Sequence, residues 1–257
     1  MKKYSILSFM LIVALFSGCS IKNENFARSI FQTSGATLMQ NYQIDLNMLL
    51  IKLEYKLYKR NPEIFTKNTL SYLQYDIKHK TNSINLPLIK DFAQDNFKTY
   101  LKIAFSKNEI KERGDYLIVG LYKMFYFAYN EAQFHKISAL QYNKKRLEFA
   151  YKILQVVDWK IKTARSRQGK YLFLTWQNNW QIELYKRLKK GESLSAKLIN
   201  NLKYIKDKKE SLFSPSNLSF EAVFAKMQYI FAKSLKTVGV EPSHLSVSAL
   251  RSIFLMM

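Results

Sequence analysis

Glycine and proline are scarce in this chain of 257 residues, which contains 7 glycines and 4 prolines. Together they make up about 4% of the residues, whereas the two account for roughly 12% of an average protein. Sandwiches, barrels and nucleotide-binding α/β folds need frequent turns, which are rich in these two residues. Their scarcity therefore argues against such folds and favours a chain built from helices.

Cysteine and acidic residues are also few. A single cysteine, Cys19, cannot form an internal disulfide or a cysteine-based zinc cluster. The 19 Asp and Glu residues face 41 Lys and Arg residues, which gives a net charge of +22 at pH 7. Such an excess has two readings: solvated lysine-rich helix surfaces, or attraction to an anionic surface such as phospholipid headgroups.

Motifs for catalysis and metal binding are missing from the sequence. It has no G-x-S-x-G, no H-E-x-x-H and no phosphate-binding G-x-x-x-x-G-K motif. The three histidines are scattered, and only His135 lies one helical turn from an acidic residue, Glu131. Two ligands do not complete a metal site. We therefore expect no metal, no cofactor and no catalytic residue.

The N-terminus carries an ordered set of features. Lys2 and Lys3 precede an apolar run from Ile6 to Phe16, which is too short to span a bilayer as a mature helix. The run ends in Phe16-Ser17-Gly18-Cys19. This arrangement resembles the signal peptide and lipobox of bacterial lipoproteins, with Phe16 where leucine is usual. An ordinary signal peptide or short anchor, in which Cys19 is incidental, is the alternative.

The lipoprotein resemblance implies a domain plan and a location. Residues 1–18 would be removed, Cys19 would carry acyl chains such as palmitate, and residues 19–40 would form a tether or loosely packed first helix. Several acyl chains hold a protein on a membrane essentially permanently. The protein would then face an extracytoplasmic space of the bacterial envelope. In a Gram-negative organism, Ser20 implies the periplasmic face of the outer membrane.

Residues 41–257 read as one helical domain. Between Asp45 and Arg60, leucines recur at helical spacing, and no segment shows convincing strand alternation. The nearly unbroken apolar stretch from Tyr116 to Tyr129 predicts a central helix buried on most sides. Ser219 and Ser243 are predicted N-caps. Predicted helices cover 45–60, 63–79, 87–106, 108–140, 143–165, 171–190, 194–205, 220–238 and 244–256.

The predicted fold class is therefore all-α, with about eight or nine helices. They form either an irregular bundle or a helical-repeat array. Because the prolines keep no repeat period, such an array would be degenerate.

Two surface features are candidates for contacts with other molecules. Among several basic clusters, the one chosen as a candidate for anionic-surface contact is formed by Lys186, Arg187, Lys189 and Lys190. Trp176 and Trp180 lie one predicted helical turn apart, a pattern typical of a core stripe, or of a partner groove if the pair is exposed.

These features favour a non-enzymatic, lipid-anchored periplasmic protein that acts as a scaffold, adaptor or accessory subunit. The expected partners are the membrane, through the lipid anchor, and envelope proteins, but not nucleic acid. Two other classes stay open: a ligand-binding component of an uptake system, and a cell-envelope enzyme with an unrecognised helical active site.

Overall fold

The computed structural model describes residues 33–66, 68–87, 96–129, 136–206 and 215–243, the side chains of 206, 215 and 216 excepted. Over these ranges the chain is all-α, as predicted, and its only strand-like pairing is an isolated bridge between Arg165 and Tyr171. Nine α-helices are described: α1 Ser34–Arg60, α2 Thr69–His79, α3 Phe97–Ala104, α4 Arg113–Tyr129, α5 Lys144–Thr163, α6 Asn179–Lys189, α7 Ala196–Asn200, α8 Lys203–Lys206 and α9 Pro215–Thr237. Short 3-10 turns lie at Pro62–Ile64 and Ala139–Gln141.

Helix α4 is the centre of the bundle. All of its 17 residues are buried except Tyr126 and Phe127, which confirms the predicted burial on most sides. Helices α3, α1 and α5 pack against it, and α9 lies against both α1 and α5. Helix α4 begins only at Arg113, later than the predicted start at 108, because the chain from Phe105 to Glu112 forms a loop.

The helix ends follow local capping rules. The side chain of Thr33 accepts a hydrogen bond from the Ala36 amide at the start of α1, and that of Asn143 accepts one from the Arg146 amide at the start of α5. Gly239, predicted to follow the end of α9, adopts the left-handed conformation there, with φ +76°.

Several predicted boundaries differ from the structure. Helix α1 begins at Ser34, and Ala36 and Met39 are fully buried, so the packed domain starts before residue 41. Helix α9 begins at Pro215, which suits a first helical position; Ser219 therefore lies inside the helix and is not its N-cap. The predicted helix 171–190 starts only at Asn179, and 194–205 splits into α7 and α8. The predicted last helix, 244–256, lies outside the described residues.

Among the helices described, none combines the length and the apolar character needed to cross a membrane.

Candidate functional site

An apolar groove lies on the outer face of α1, between α2 and α9. Its volume is about 740 Å³. The apolar lining comes from three helices and includes Met48, Leu49, Ile51, Leu70, Tyr229 and Ile230. Met48 and Tyr229 are 60% and 61% exposed, which is unusual for such large apolar side chains gathered in one place. Grouped exposure of this kind marks interaction surfaces in soluble proteins.

The groove follows from the two faces of α1. Leucines on the inner face are fully buried in the core, at positions 46, 50, 53 and 57. Met48, Lys52 and Tyr55 follow one another at helical spacing on the opposite side, where they remain exposed. A surface helix normally carries polar residues on that side. The methionine and tyrosine there leave an apolar stripe that the described helices do not cover.

Two tyrosine–lysine pairs stand at the rim of the groove. The Lys59 ammonium lies 4.2 Å from the ring centroid of Tyr55 on α1, and the Lys233 ammonium lies 5.3 Å from that of Tyr229 on α9. These distances fit cation–π contacts, which restrain both aromatic rings. A hydrogen bond from Lys59 also lowers the pKa of Tyr55 below its ordinary value. The rings are thus partly ordered before any partner arrives.

The rim of the groove is predominantly basic. Lys52 and Lys226 line it, and Asp45 is the one acid among the described lining residues. Neither lysine forms an ion pair within the described part of the chain. An occupant with acidic residues beside an apolar stripe would complement this rim.

Basic residues continue along α1 beyond the groove, where they contact neutral partners. The Lys56 ammonium donates to Ser219 Oγ at 2.9 Å, and Arg60 Nη1 donates to Asn179 Oδ1 at 2.8 Å and to Asn178 Oδ1 at 3.1 Å. Burial lowers the pKa of Lys56, and the neighbouring cations Lys52, Arg60 and Lys59 lower it further. Like charges are therefore crowded here without neutralisation by a described acid.

The basic cluster predicted on α6 reaches the same region. The positive charge of Lys189 contributes to the lowered pKa of Tyr55 on α1. Arg187 is held by Glu192, with Nε to Oε1 at 2.8 Å and Nη2 to Oε2 at 2.7 Å. Lys186 and Lys190 are exposed and form no ion pair with a described acid. We call the basic surface the following set: Lys52, Lys56, Lys59, Arg60, Lys186, Lys189 and Lys190.

The two tryptophans do not share a helix turn. Trp176 lies before α6 and is buried, with its ring edge-on to Tyr171, whereas Trp180 lies in the first turn of α6 and is half-buried. The segment before α6 is irregular because the Asn61 side chain binds the backbone of Leu174. Asn61 Nδ2 donates to the Leu174 carbonyl at 3.0 Å, and Asn61 Oδ1 accepts from the Leu174 amide at 2.6 Å. Neither tryptophan lines the α1 groove.

Local sequence patterns do not predict the groove, although α1 carries one signal for it. Ile44, Met48 and Tyr55 occupy α1 positions outside the leucine stripe, where polar residues are expected. That signal indicates an apolar outer face. The contributions of α2 and α9 depend on the tertiary fold.

A pair of buried carboxyl groups lies where α1 packs against α4, with Glu54 on α1 and Asp115 on α4. Glu54 is 4% exposed and Asp115 is fully buried; Asp115 Oδ2 accepts a hydrogen bond from the Thr66 amide at 2.9 Å. Within the described ranges, Glu54 Oε2 and Asp115 Oδ1 have no hydrogen-bond partner. Burial, and then the charge of Asp115, raises the pKa of Glu54 to about 8. Because the pair is shut off from solvent, it is not placed to meet a substrate.

No group of three or more potential metal ligands occurs within the described ranges. Cys19, Glu131, His135 and His244 lie outside them. Comparisons of the chain with protein-family models, with curated proteins and with solved structures found no match.

Proposed function

We propose that this chain is a lipid-anchored, all-helical envelope protein that acts as an adaptor and binds an envelope partner protein through the α1 groove. The observation that carries the proposal is the groove itself: exposed Met48, Tyr55 and Tyr229 gathered between three helices, within a rim of lysines. A helix laid in a groove is a recurrent way of binding a partner. In a Gram-negative organism, the anchor at Cys19 would place the groove at the periplasmic face of the outer membrane.

The energetics of such a contact depend on a few apolar side chains. Burial of apolar surface contributes roughly 25 cal/mol per Å², and a few well-packed side chains carry most of the affinity at an interface. Met48, Tyr55 and Tyr229 are side chains of the kinds enriched at interfaces. The basic surface beside the groove would steer an acidic partner towards it and would add mainly to the association rate.

A pair of matched substitutions tests the groove. A photo-crosslinking amino acid at position 52 of the membrane-anchored full chain should give discrete adducts with a partner. Met48→Glu, in the centre of the groove, should remove those adducts because it introduces a charge into the apolar lining. Tyr72→Glu is the control, since Tyr72 is equally exposed but lies on α2 outside the lining. Adducts that survive Met48→Glu, or disappear equally in the control, would refute the groove as the binding site.

The anchor is tested separately. Cys19→Ser removes the only thiol in the chain that can carry a lipid, and with it the free energy of anchoring, about 0.8 kcal/mol for each buried CH₂ group. We expect the variant to leave the membrane fraction after a high-salt wash, as measured by quantitative immunoblotting. If it still sediments fully with membranes, Cys19 is not the anchor.

A further inference from the structure

A second cavity lies on another part of the bundle, between the loop that follows α3 and the loop that follows α5. Its volume is about 410 Å³. Phe105 and Trp159 supply aromatic walls, and Lys107, Arg165 and Arg167 supply positive charge. The cavity is therefore lined by cations from two loops and by two aromatic side chains. Binding sites often occur on loops that a rigid scaffold holds in place.

The first loop is fixed by a buried arginine. Arg113, only 5% exposed, donates from Nη1 to the carbonyls of Ala104 at 2.6 Å and Ser106 at 2.8 Å, and from Nη2 to that of Asn108 at 2.7 Å. These bonds hold the backbone on both sides of Lys107. Burial lowers the pKa of Arg113 to about 10, so placing this cation in the interior is costly. The cost is offset by bonds that set the shape of the loop.

The second loop contains a tight turn directly after the end of α5. The Leu172 amide donates to the Ala164 carbonyl at 2.9 Å, and the Ser166 amide donates to the Lys170 carbonyl at 2.8 Å. Gly169 closes the turn with φ +77°, a backbone conformation that favours glycine. These bonds place Arg165 and Arg167 at the mouth of the cavity.

Arg165 is ordered before any ligand binds. Its guanidinium carbon lies 3.9 Å from the ring centroid of Tyr171, and its Nη1 donates to the Gly169 carbonyl at 2.8 Å. A guanidinium group carries five N–H donors, so this bond leaves others available. An arginine fixed in this way is suited to binding two oxygens of one anion.

The charges around the cavity have one sign. Among the residues that the structure describes, no acid lines the cavity, and Lys107, Arg165 and Arg167 form no ion pair. A fourth cation, Lys160, lies behind the aromatic wall, with its ammonium 4.8 Å from the ring centroid of Phe105. Together these groups favour an anion at the cavity mouth.

We propose that this cavity binds a phosphate monoester carried on a small organic group. The phosphate would lie between Lys107, Arg165 and Arg167, and the organic part would pack against Phe105 and Trp159. A volume of about 410 Å³ exceeds that of a bare phosphate ion and lies within the range of small-ligand sites, roughly 300–1,000 Å³. The site is independent of the α1 groove. Its ligand is either a soluble phosphorylated compound or the monoester headgroup of phosphatidic acid.

Titration of the detergent-solubilised full chain with three probes tests the site: inorganic phosphate, glycerol 3-phosphate and dihexanoyl phosphatidic acid. We expect saturable binding of glycerol 3-phosphate or the short-chain lipid by calorimetry, with inorganic phosphate competing weakly. Tighter binding of the lipid identifies a headgroup as the ligand, and equal or tighter binding of glycerol 3-phosphate identifies a soluble compound. Failure of all three probes to bind saturably would overturn the proposal.

Substitutions show whether the cavity is responsible for the binding of these probes. Arg165→Gln combined with Arg167→Gln should weaken binding at least tenfold. Arg167→Gln alone should weaken it about threefold, and it tests the site even if loss of Arg165 disturbs the turn. The control, Lys144→Gln with Lys145→Gln, removes the same charge from exposed positions at the start of α5. Equal losses in the double variant and the control would show nonspecific charge attraction and would overturn the site.

Discussion

Glu54 carries a carboxyl group buried in the core of the bundle. Burial raises its pKa from 4.5 to about 8. Below about pH 4.5, the folded and unfolded states both hold the proton. Between that pH and about 8, the unfolded state releases the proton while the folded state keeps it, so stability falls as the pH rises. Above about pH 8, the folded protein contains a buried carboxylate that Asp115 repels.

We therefore expect Glu54→Gln to raise the free energy of unfolding at pH 9 by roughly 1–3 kcal/mol, the typical cost of an unsatisfied buried group. At pH 5 the variant and the original chain should differ much less. Urea unfolding curves at both pH values measure the difference.

Glu148→Gln is the matched control, because the Glu148 side chain is 40% exposed and pairs with Lys152 at the surface, an interaction worth about 0–1 kcal/mol. The same pH dependence in Glu54→Gln and in the original chain would show that Glu54 titrates normally.

At the scale of the helices, Gly120 on α4 sets how closely α3 can approach. A Cβ atom there would lie 3.0 Å from Leu101 Cδ2 and 3.1 Å from Tyr100 Cβ. Gly120→Ala should therefore push α3 away from the central helix and cost about 1–3 kcal/mol of stability, despite the better helix propensity of alanine. Thermal melting followed by circular dichroism measures the loss. The control is Ser71→Ala, at an exposed position on α2, which should change the melting temperature little. An unchanged melting temperature for Gly120→Ala would show that a methyl group fits between α3 and α4.

The elements that the sequence predicted well are those whose pattern is local. The leucine spacing between residues 46 and 57 predicts the buried face of α1, and the apolar run from Tyr116 predicts the buried α4. The start of α1 was missed because its burial depends on distant residues: Gly35 packs against Ala139 and Thr237. The segment before α6 was predicted as helix, but Asn61 supplies hydrogen bonds to Leu174 from elsewhere in the chain.

The candidate sites depend on the fold even more strongly. The outer face of α1 carries a sequence signal at Met48 and Tyr55, but a groove exists only because α2 and α9 flank that face. The loop cavity joins residues 105–107 with 159–169, and nothing local in the sequence predicts that these segments meet. By contrast, the anchor at Cys19 is a purely local pattern, and it stays a prediction.

At the scale of the whole molecule, the net charge of +22 matters through where the basic residues lie. The basic clusters seen in the sequence show these positions only in part. Basic residues on α1 and at the end of α6 form the basic surface, in which Arg187 has no part because Glu192 neutralises it. Clustered cations produce a stronger local potential than the same number of scattered ones. This surface therefore offers a sharper test of attraction to membranes than the net charge does.

A fragment of residues 33–257, which lacks Cys19, should bind vesicles of anionic phospholipid at low salt. It should be released as salt rises, because the Debye length shrinks from about 10 Å at 0.1 M to about 3 Å at 1 M. Changing Lys59, Lys186 and Lys189 to glutamate should weaken binding in a co-sedimentation assay more than the same change at Lys78, Lys145 and Lys197, which are exposed on three other helices. Equal losses would mean that only net charge matters. No binding at low salt would mean that these lysines serve as a solvated surface and leave membrane attachment to the anchor.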